Sequence, residues 1–265
     1  MIRKIYISLA NRSMQETMVN RTSFILNIGA SFLIILSSYY LWKAIFAGRD
    51  QLGGFSWEEM KAYLIISFLS NTILSYFSEV KISQKILDGS IAFDLLKPID
   101  FQKARLAETV GSSVFEGLVS VVLAFLFLFL YEGVAVPESP ITWVFFIISF
   151  ILSQTVKYGV IYIFSIFCFW TTGFLGVALA RAAVTSLFSG ALIPLSYFPS
   201  TLQKICTILP FSSIVHYPIS IYLERMDNIE ILGIIGLQAF WAIALWFFGK
   251  WFWSQAVKKI TINGG

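Results

Sequence analysis

The sequence has 265 residues, of which 57% are apolar and only 13% charged, with a mean hydropathy of +0.78. A soluble domain of this size carries roughly a quarter charged and 45–50% apolar residues, so water could not hide this much hydrocarbon, whereas lipid solvates it. The net charge of +4 is spread through the gaps between apolar runs. That is the pattern of topology signals and lipid-headgroup contacts rather than of a nucleic-acid surface, and no nucleic-acid partner is expected.

Residues 2–18 form the first expected element. Ile2, Ile5, Tyr6, Leu9 and Ala10 recur at helical spacing on one face, and Lys4, Ser8, Asn11, Arg12 and Gln15 share the other. Such a helix lies flat in the headgroup region. The apolar run after it begins near Phe24, is longer than the core of a signal peptide, and has no small-residue cleavage site behind it, so a cleaved leader is not expected.

Six apolar stretches follow, at 22–46, 60–77, 110–131, 141–170, 173–193 and 229–253. Each approaches or exceeds the ~18–20 residues that cross ~30 Å of hydrocarbon. Arg3, Lys4, Arg12, Arg21, Lys81, Lys85, Lys97, Lys103, Arg105, Lys250, Lys258 and Lys259 then fall on one side of the membrane. Lys43, Arg49, Lys61, Lys204 and Arg225 fall on the other. The positive-inside rule puts both termini in the cytoplasm.

Two connections are too long to be turns. In the cytoplasmic one, 78–108, Ile82 and Ile86 share a helical face that stops at Gly89. Ser90 is a candidate N-cap, Pro98 a breaker, and Asp100 a cap for the helix leading into the third span. Phe93, Leu95 and Leu96 offer an apolar docking surface amid mixed charge. The external connection, 194–228, holds Pro194, Pro199, Pro210 and Pro218 with apolar pieces of ~10 residues between them, too short to span. Ser200 and Gln203 read there as a capping box. Short helices joined by prolines suit a re-entrant hairpin that neighbouring helices cover. The expected fold class is therefore an all-α integral membrane protein: six transmembrane helices, an N-terminal interfacial helix and an external re-entrant helical hairpin before the last span, in one membrane domain over 1–265.

Chemistry is sparse. The one histidine, His216, stands one turn from Ser212 and Ser213, but no orienting acid or oxyanion loop accompanies it, and it reads as an interfacial side chain. A single histidine excludes a HExxH metal pair, and there is no GxxxxGK[ST] phosphate loop. No catalytic residue, metal site or cofactor is expected in this chain. Cys168 and Cys206 are too few for a disulfide framework and read as apolar fillers near opposite faces. The informative residues are the charges within spans, Glu116, Lys157 and Arg181, since charge in lipid is costly and commonly functional. Glu116 and Arg181 both lie ~12 Å from the cytoplasmic ends of their helices and Lys157 deeper, at ~20 Å. A Glu116–Arg181 pair is expected, with Lys157 the competing partner; static pairing or snorkelling are the plainer readings. Ser31, Ser37, Ser67 and Asn71 read as polar contacts between helices.

Two stretches carry a family resemblance. Leu87-Asp88-Gly89-Ser90-Ile91-Ala92-Phe93-Asp94-Leu95-Leu96-Lys97-Pro98-Ile99 is similar to the DGSI…LLKPI segment of a subgroup of ABC-2 type permeases. The run 189–199, with Gly190, Pro194 and Pro199, followed by Leu209-Pro210, is similar to that family's exit from the fifth span. The family comprises membrane subunits of ATP-binding-cassette exporters. The resemblance implies two permease subunits (this chain with a copy of itself or a related chain) above two separate ATPase subunits that hold ATP and Mg. It implies a multi-pass protein of the plasma membrane, in bacteria the inner membrane, in contact with membrane lipids. It further implies that Ile86, Leu87, Asp88, Gly89, Ser90, Phe93, Leu95 and Leu96 form the contact with the ATPase, and that the substrate is a drug-like amphiphile, a peptide or a lipid-linked molecule. An ATP-independent channel or carrier is the alternative, since it too would lack a phosphate loop.

Overall fold

A computed structural model describes residues 2–74, 76–131, 133–171 and 173–258. Among them are eleven α-helices and one two-stranded antiparallel hairpin. Lys259, one of the expected inner basic residues, lies outside the described residues, as do the side chains of Ile2 and Arg21.

Helix α1 (Ile2–Val19) packs against the first half of α6 (Phe101–Leu130). Its buried positions are Ser13 and Thr17. A Cβ at Gly111 would stand 2.0 Å from the Ala10 carbonyl oxygen, so the two backbones touch at a point only glycine permits. Ile5 and Ile7 on α1 remain exposed. Lys81 on α4 (Tyr76–Leu87) ties α1 down further by donating to Glu16 at 2.6 Å and Ser13 at 3.3 Å.

Helix α2 (Arg21–Ile45) leads to strands β1 (Gln51–Leu52) and β2 (Phe55–Ser56), joined by Gly53 and Gly54 at φ +56° and +80°. Two successive positive φ values make the tight turn that glycine supplies without strain. Helix α3 (Trp57–Thr72) then starts from a capping box in which Ser56 and Glu59 satisfy each other's backbone N–H. It ends at Thr72, where Ile73 is extended and Leu74 has φ +58°.

Among the described residues, four helices are long and apolar enough to cross a membrane: Ile25–Ile45 of α2, α6, the unit formed by α7 (Pro140–Ile166) with its 3-10 extension to Phe169, and α11 (Asn228–Val257). The other two expected spans are shorter helices. Helix α3 has 16 residues, and α8 (Phe174–Phe188) has 15. At ~1.5 Å per residue they cover about 24 and 22 Å.

The connection over 78–108 is helical on both sides of a turn at Gly89. Helix α4 ends at Leu87, Gly89 turns the chain at φ +75°, and α5 (Ile91–Leu95) follows. Asp100 caps α6 by accepting from Lys103 N–H at 3.0 Å. Ser90 occupies the cap position of α5 but makes no side-chain cap bond; Asp88 accepts from Ser90 N–H at 2.9 Å instead. In the proline-rich connection, α9 (Ser200–Ile208) and α10 (His216–Tyr222) alternate with 3-10 turns at 195–197 and 210–213. The expected Ser200 capping box does not form. Gln203 N–H bonds the Pro199 carbonyl at 2.9 Å, which makes Ser200 the first helical residue and Pro199 the cap.

Two apolar cores hold the elements together. The first gathers Tyr39, Trp42, Phe55, Tyr63, Phe127 and Ile214 from α2, β2, α3, α6 and the proline-rich connection. The second joins Ile82, Ile91, Phe101, Tyr162 and Ala256 from α4, α5, α6, α7 and α11. Helices α7 and α11 meet at Gly159, where an added Cβ would lie 2.8 Å from Leu245.

Candidate functional site

The 78–108 loop presents an apolar edge on an ion-paired base. Phe93 is 70% and Leu96 82% exposed, with Leu87 and Leu95 also exposed. Ile86 instead turns partly inward onto the second core. Asp88 and Gly89 are exposed at the turn between α4 and α5. Beneath this edge lies Asp94, buried, which accepts from Lys85 Nζ at 2.7 Å and Lys97 Nζ at 2.6 Å and pairs with Arg105 at 3.3 Å. Arg105 also pairs with Glu108 at 2.7 Å and lies over the Phe101 ring at 5.1 Å. Burial pushes the Asp94 carboxyl up, but the hydrogen bonds from Lys85 and Lys97 and the Arg105 charge outweigh it and hold it below the usual carboxylate range. One carboxylate thus fastens α4, α5 and α6 into a single piece. Asp94 and Arg105 are the residues that reading by sequence alone missed. Only the Asp94–Lys97 spacing of one helical turn hinted at them.

Within the helices, two adjoining cavities of ≈ 300 and ≈ 390 Å³ share Ser31, Ile34, Asn71, Thr72 and Ser186 as walls. They open between α2, α3 and α8. The larger one brings Glu116, Lys157 and Arg181 to one space, so the three charges singled out from three separate helices do converge. Ser31, Ser67 and Asn71 line this space, while Ser37 points away and is exposed. The hydroxyls of Ser67 and Thr185, on its walls, are buried without a hydrogen-bond partner within the protein. Lys157, only 5% exposed, donates to the carbonyls of Ser70 at 2.6 Å, Asn71 at 3.0 Å and Ile73 at 2.5 Å. It therefore binds the open end of α3, a role its sequence neighbours do not announce.

At the other end of the bundle, three of the four prolines stand at element boundaries, and the fourth does not interrupt its helix. Pro194 and Pro199 flank the first 3-10 turn, Pro210 starts the second, and Pro218 lies inside α10. The freed polar groups find partners in the bundle. Tyr63 donates to the Gly190 carbonyl at 2.5 Å, Trp241 to Ile208 at 3.0 Å, and Gln238 to Ser149 at 3.3 Å and Ser213 at 3.0 Å. Arg225 bonds Glu59 at 2.9 Å and the Gly54 carbonyl at 2.7 Å while stacking 3.7 Å from the Phe55 ring centroid. Glu224 accepts from Ser139 N–H at 3.1 Å and from Thr142 at 2.8 Å. His216 is half-buried, and the Ser212 hydroxyl is committed to the Leu209 carbonyl at 2.9 Å. Cys168 and Cys206 are buried free thiols on different elements.

A mostly helical bundle with four helices long and apolar enough to cross a membrane and a polar cavity among its helices suits a membrane transport component. The model of the ABC-2 family transporter proteins matches residues 32–264, most of the chain. The chain belongs to that family. Its permeases are not themselves catalytic and typically work with an ABC ATPase. No curated protein matches the sequence.

Proposed function

We propose that this chain is the membrane-spanning permease subunit of an ABC exporter, forming half of a substrate pathway and driven by ATPase subunits on separate chains. The observation that carries the reading is the exposed Phe93–Leu96 edge on an ion-paired base in a chain that matches the ABC-2 family from residue 32 to 264. Two ATPases with their ATP and Mg sit beneath two permeases, the second being the same chain or a relative. In this reading α3 and α8 complete six crossings with both termini in the cytoplasm of a bacterial inner membrane, and the 194–228 connection re-enters the outer leaflet. Two of its backbone carbonyls, those of Ser213 and Ile208, accept from Gln238 and Trp241 of α11, which is the kind of cover such a segment requires.

Energy from nucleotide binding shifts the pathway between inward and outward forms, because only a partner whose own closure favours one form can bias the equilibrium. The cavity between α2, α3 and α8 is the stretch of pathway belonging to this subunit. Hydroxyls, the amides of Asn27 and Asn71 and three charges line it beside Ile34, Leu64 and Phe68, a mixture that suits an amphiphile such as a drug-like molecule, peptide or lipid.

The test is co-expression with the ATPase, reconstitution, and a screen of candidate compounds for stimulated hydrolysis and ATP-dependent export. Transport that proceeds without ATP would replace this reading with that of a channel or carrier. Reversing the charges of Glu116 and Arg181 together is expected to restore transport lost in either single reversal if the two act as a pair.

A further inference from the structure

The three carbonyls held by Lys157 come from the place where α3 ends and the chain turns towards the loop. Helix α3 stops at Thr72, Leu74 takes a left-handed conformation, and α4 begins at Tyr76. A helix end leaves its last carbonyls without intrahelical partners. Thr72 itself turns its hydroxyl back to the Phe68 carbonyl. A helix of about 24 Å also stops short of ~30 Å of hydrocarbon, so these carbonyls need partners at membrane depth. The hydropathy of the sequence runs straight through the break, and the partner arrives from α7, 84 to 87 residues away.

A lysine at the middle of a membrane helix is costly unless its charge finds partners. Hydrogen bonds made by a charged group are stronger than those between neutral groups. Three of them, aimed at the negative end of a helix dipole, offset that cost. An apolar side chain would leave the carbonyls unpaired, whereas an ammonium carries a donor for each of the three. Lys157 also forms part of the wall of the cavity that holds Glu116 and Arg181. The same side chain therefore touches the hinge above the loop and the proposed pathway.

We infer that Lys157 is a positioning residue for coupling: it clamps the α3–α4 break to α7, so that movement of the ATPase-facing loop is delivered to α7 and the cavity as one rigid body. The inference rests on the permease reading only for the source of that movement. The clamp itself is a property of this chain.

The test places nitroxide labels on exposed Gln84 of α4 and exposed Ile151 of α7, in the full chain in nanodiscs with its ATPase, and measures their separation by electron paramagnetic resonance. A control pair, Ile151 with exposed Phe240 of α11, reports the rest of the bundle. In the native protein, Gln84–Ile151 is expected to show one narrow distance, unchanged by a non-hydrolysable ATP analogue. Lys157→Met should lose that single distance, and nucleotide should shift it further, while Ile151–Phe240 stays native. Lys157→Arg should restore the narrow distribution, and Lys157→Gln, whose amide has donors for only two of the three carbonyls, should broaden it partly and serves if the Met variant does not fold. A variant as narrow and as indifferent to nucleotide as the native chain would overturn the clamp, and so would equal broadening of both pairs. Failure of the native chain to bind any ATPase would count against the permease reading. The nucleotide-free comparison of variant and native widths would still decide the clamp.

Discussion

Replacing Phe93 and Leu96 with alanine tests the proposed docking edge without touching its base. Their exposures of 70% and 82% leave both side chains available to a partner, whereas Ile91 and Asp94 beside them are buried. Full burial of a phenylalanine or leucine is worth about 1.5–3 kcal/mol. Truncation removes most of this at each position, so the pair should weaken ATPase binding by about 3 kcal/mol, roughly a hundredfold in Kd. The assay titrates purified ATPase onto the permease in nanodiscs and reads binding together with the stimulation of hydrolysis. Phe129→Ala on α6 is the control, since Phe129 is 83% exposed but lies at the far end of the helix from the loop; it should bind as the native chain does. A double variant with native affinity and native stimulation would refute the argument, because no exposed apolar contact on this edge would then be contributing.

Asp94→Asn should loosen the loop by about 2 kcal/mol, the worth of hydrogen bonds to a charged partner, and hydrogen exchange in 85–97 should rise while α7 and α11 are unchanged. Because the Asp94 carboxyl is held below its ordinary value, its contribution is fully present above the unfolded pKa of about 3.9 and is lost as pH falls through the lower folded value. Loop protection should therefore persist at pH 5 and decline only below about pH 4. Gly111→Val should lift α1 away from α6, because even a Cβ would stand 2.0 Å from the Ala10 carbonyl oxygen; a protease site placed in α1 would be cut faster. Arg225→Gln should free the β1–β2 hairpin from the end of α10 by removing the bonds to Glu59 and Gly54, read as increased labelling of a cysteine placed at Gln51.

The features legible from sequence were those with local causes. The Gly89 stop, the Asp100 cap and the proline breaks at Pro194, Pro199 and Pro210 each depend on residues within one turn of the event. The end of α3 was not legible, because Ile73 and Leu74 continue the apolar run and the group that receives its open carbonyls, Lys157, stands on another helix. The ion pairs of Asp94 were hidden for a similar reason: Lys85 and Arg105 approach it only once α4 and α6 pack. Ser200 misled by its type, since Pro199 supplies the carbonyl that begins α9 and displaces the expected cap by one residue. Glu116, Lys157 and Arg181 stood out in the sequence by their cost in lipid, but the cavity they share appears only once α6, α7 and α8 pack. The donation of Lys157 to backbone carbonyls was not legible, because a sequence displays side-chain charges and not open helix ends.

The central claim is that the 78–108 loop is where a separate ATPase drives this permease. A photo-crosslinking residue at Leu96, with Phe129 as the control position, tests it directly in cells that express the full chain with its ATPase. The account predicts a covalent product at Leu96 whose partner peptides come from the ATPase, lost in Leu96 samples carrying Phe93→Ala and absent at Phe129. Lipid adducts alone at both positions would contradict it.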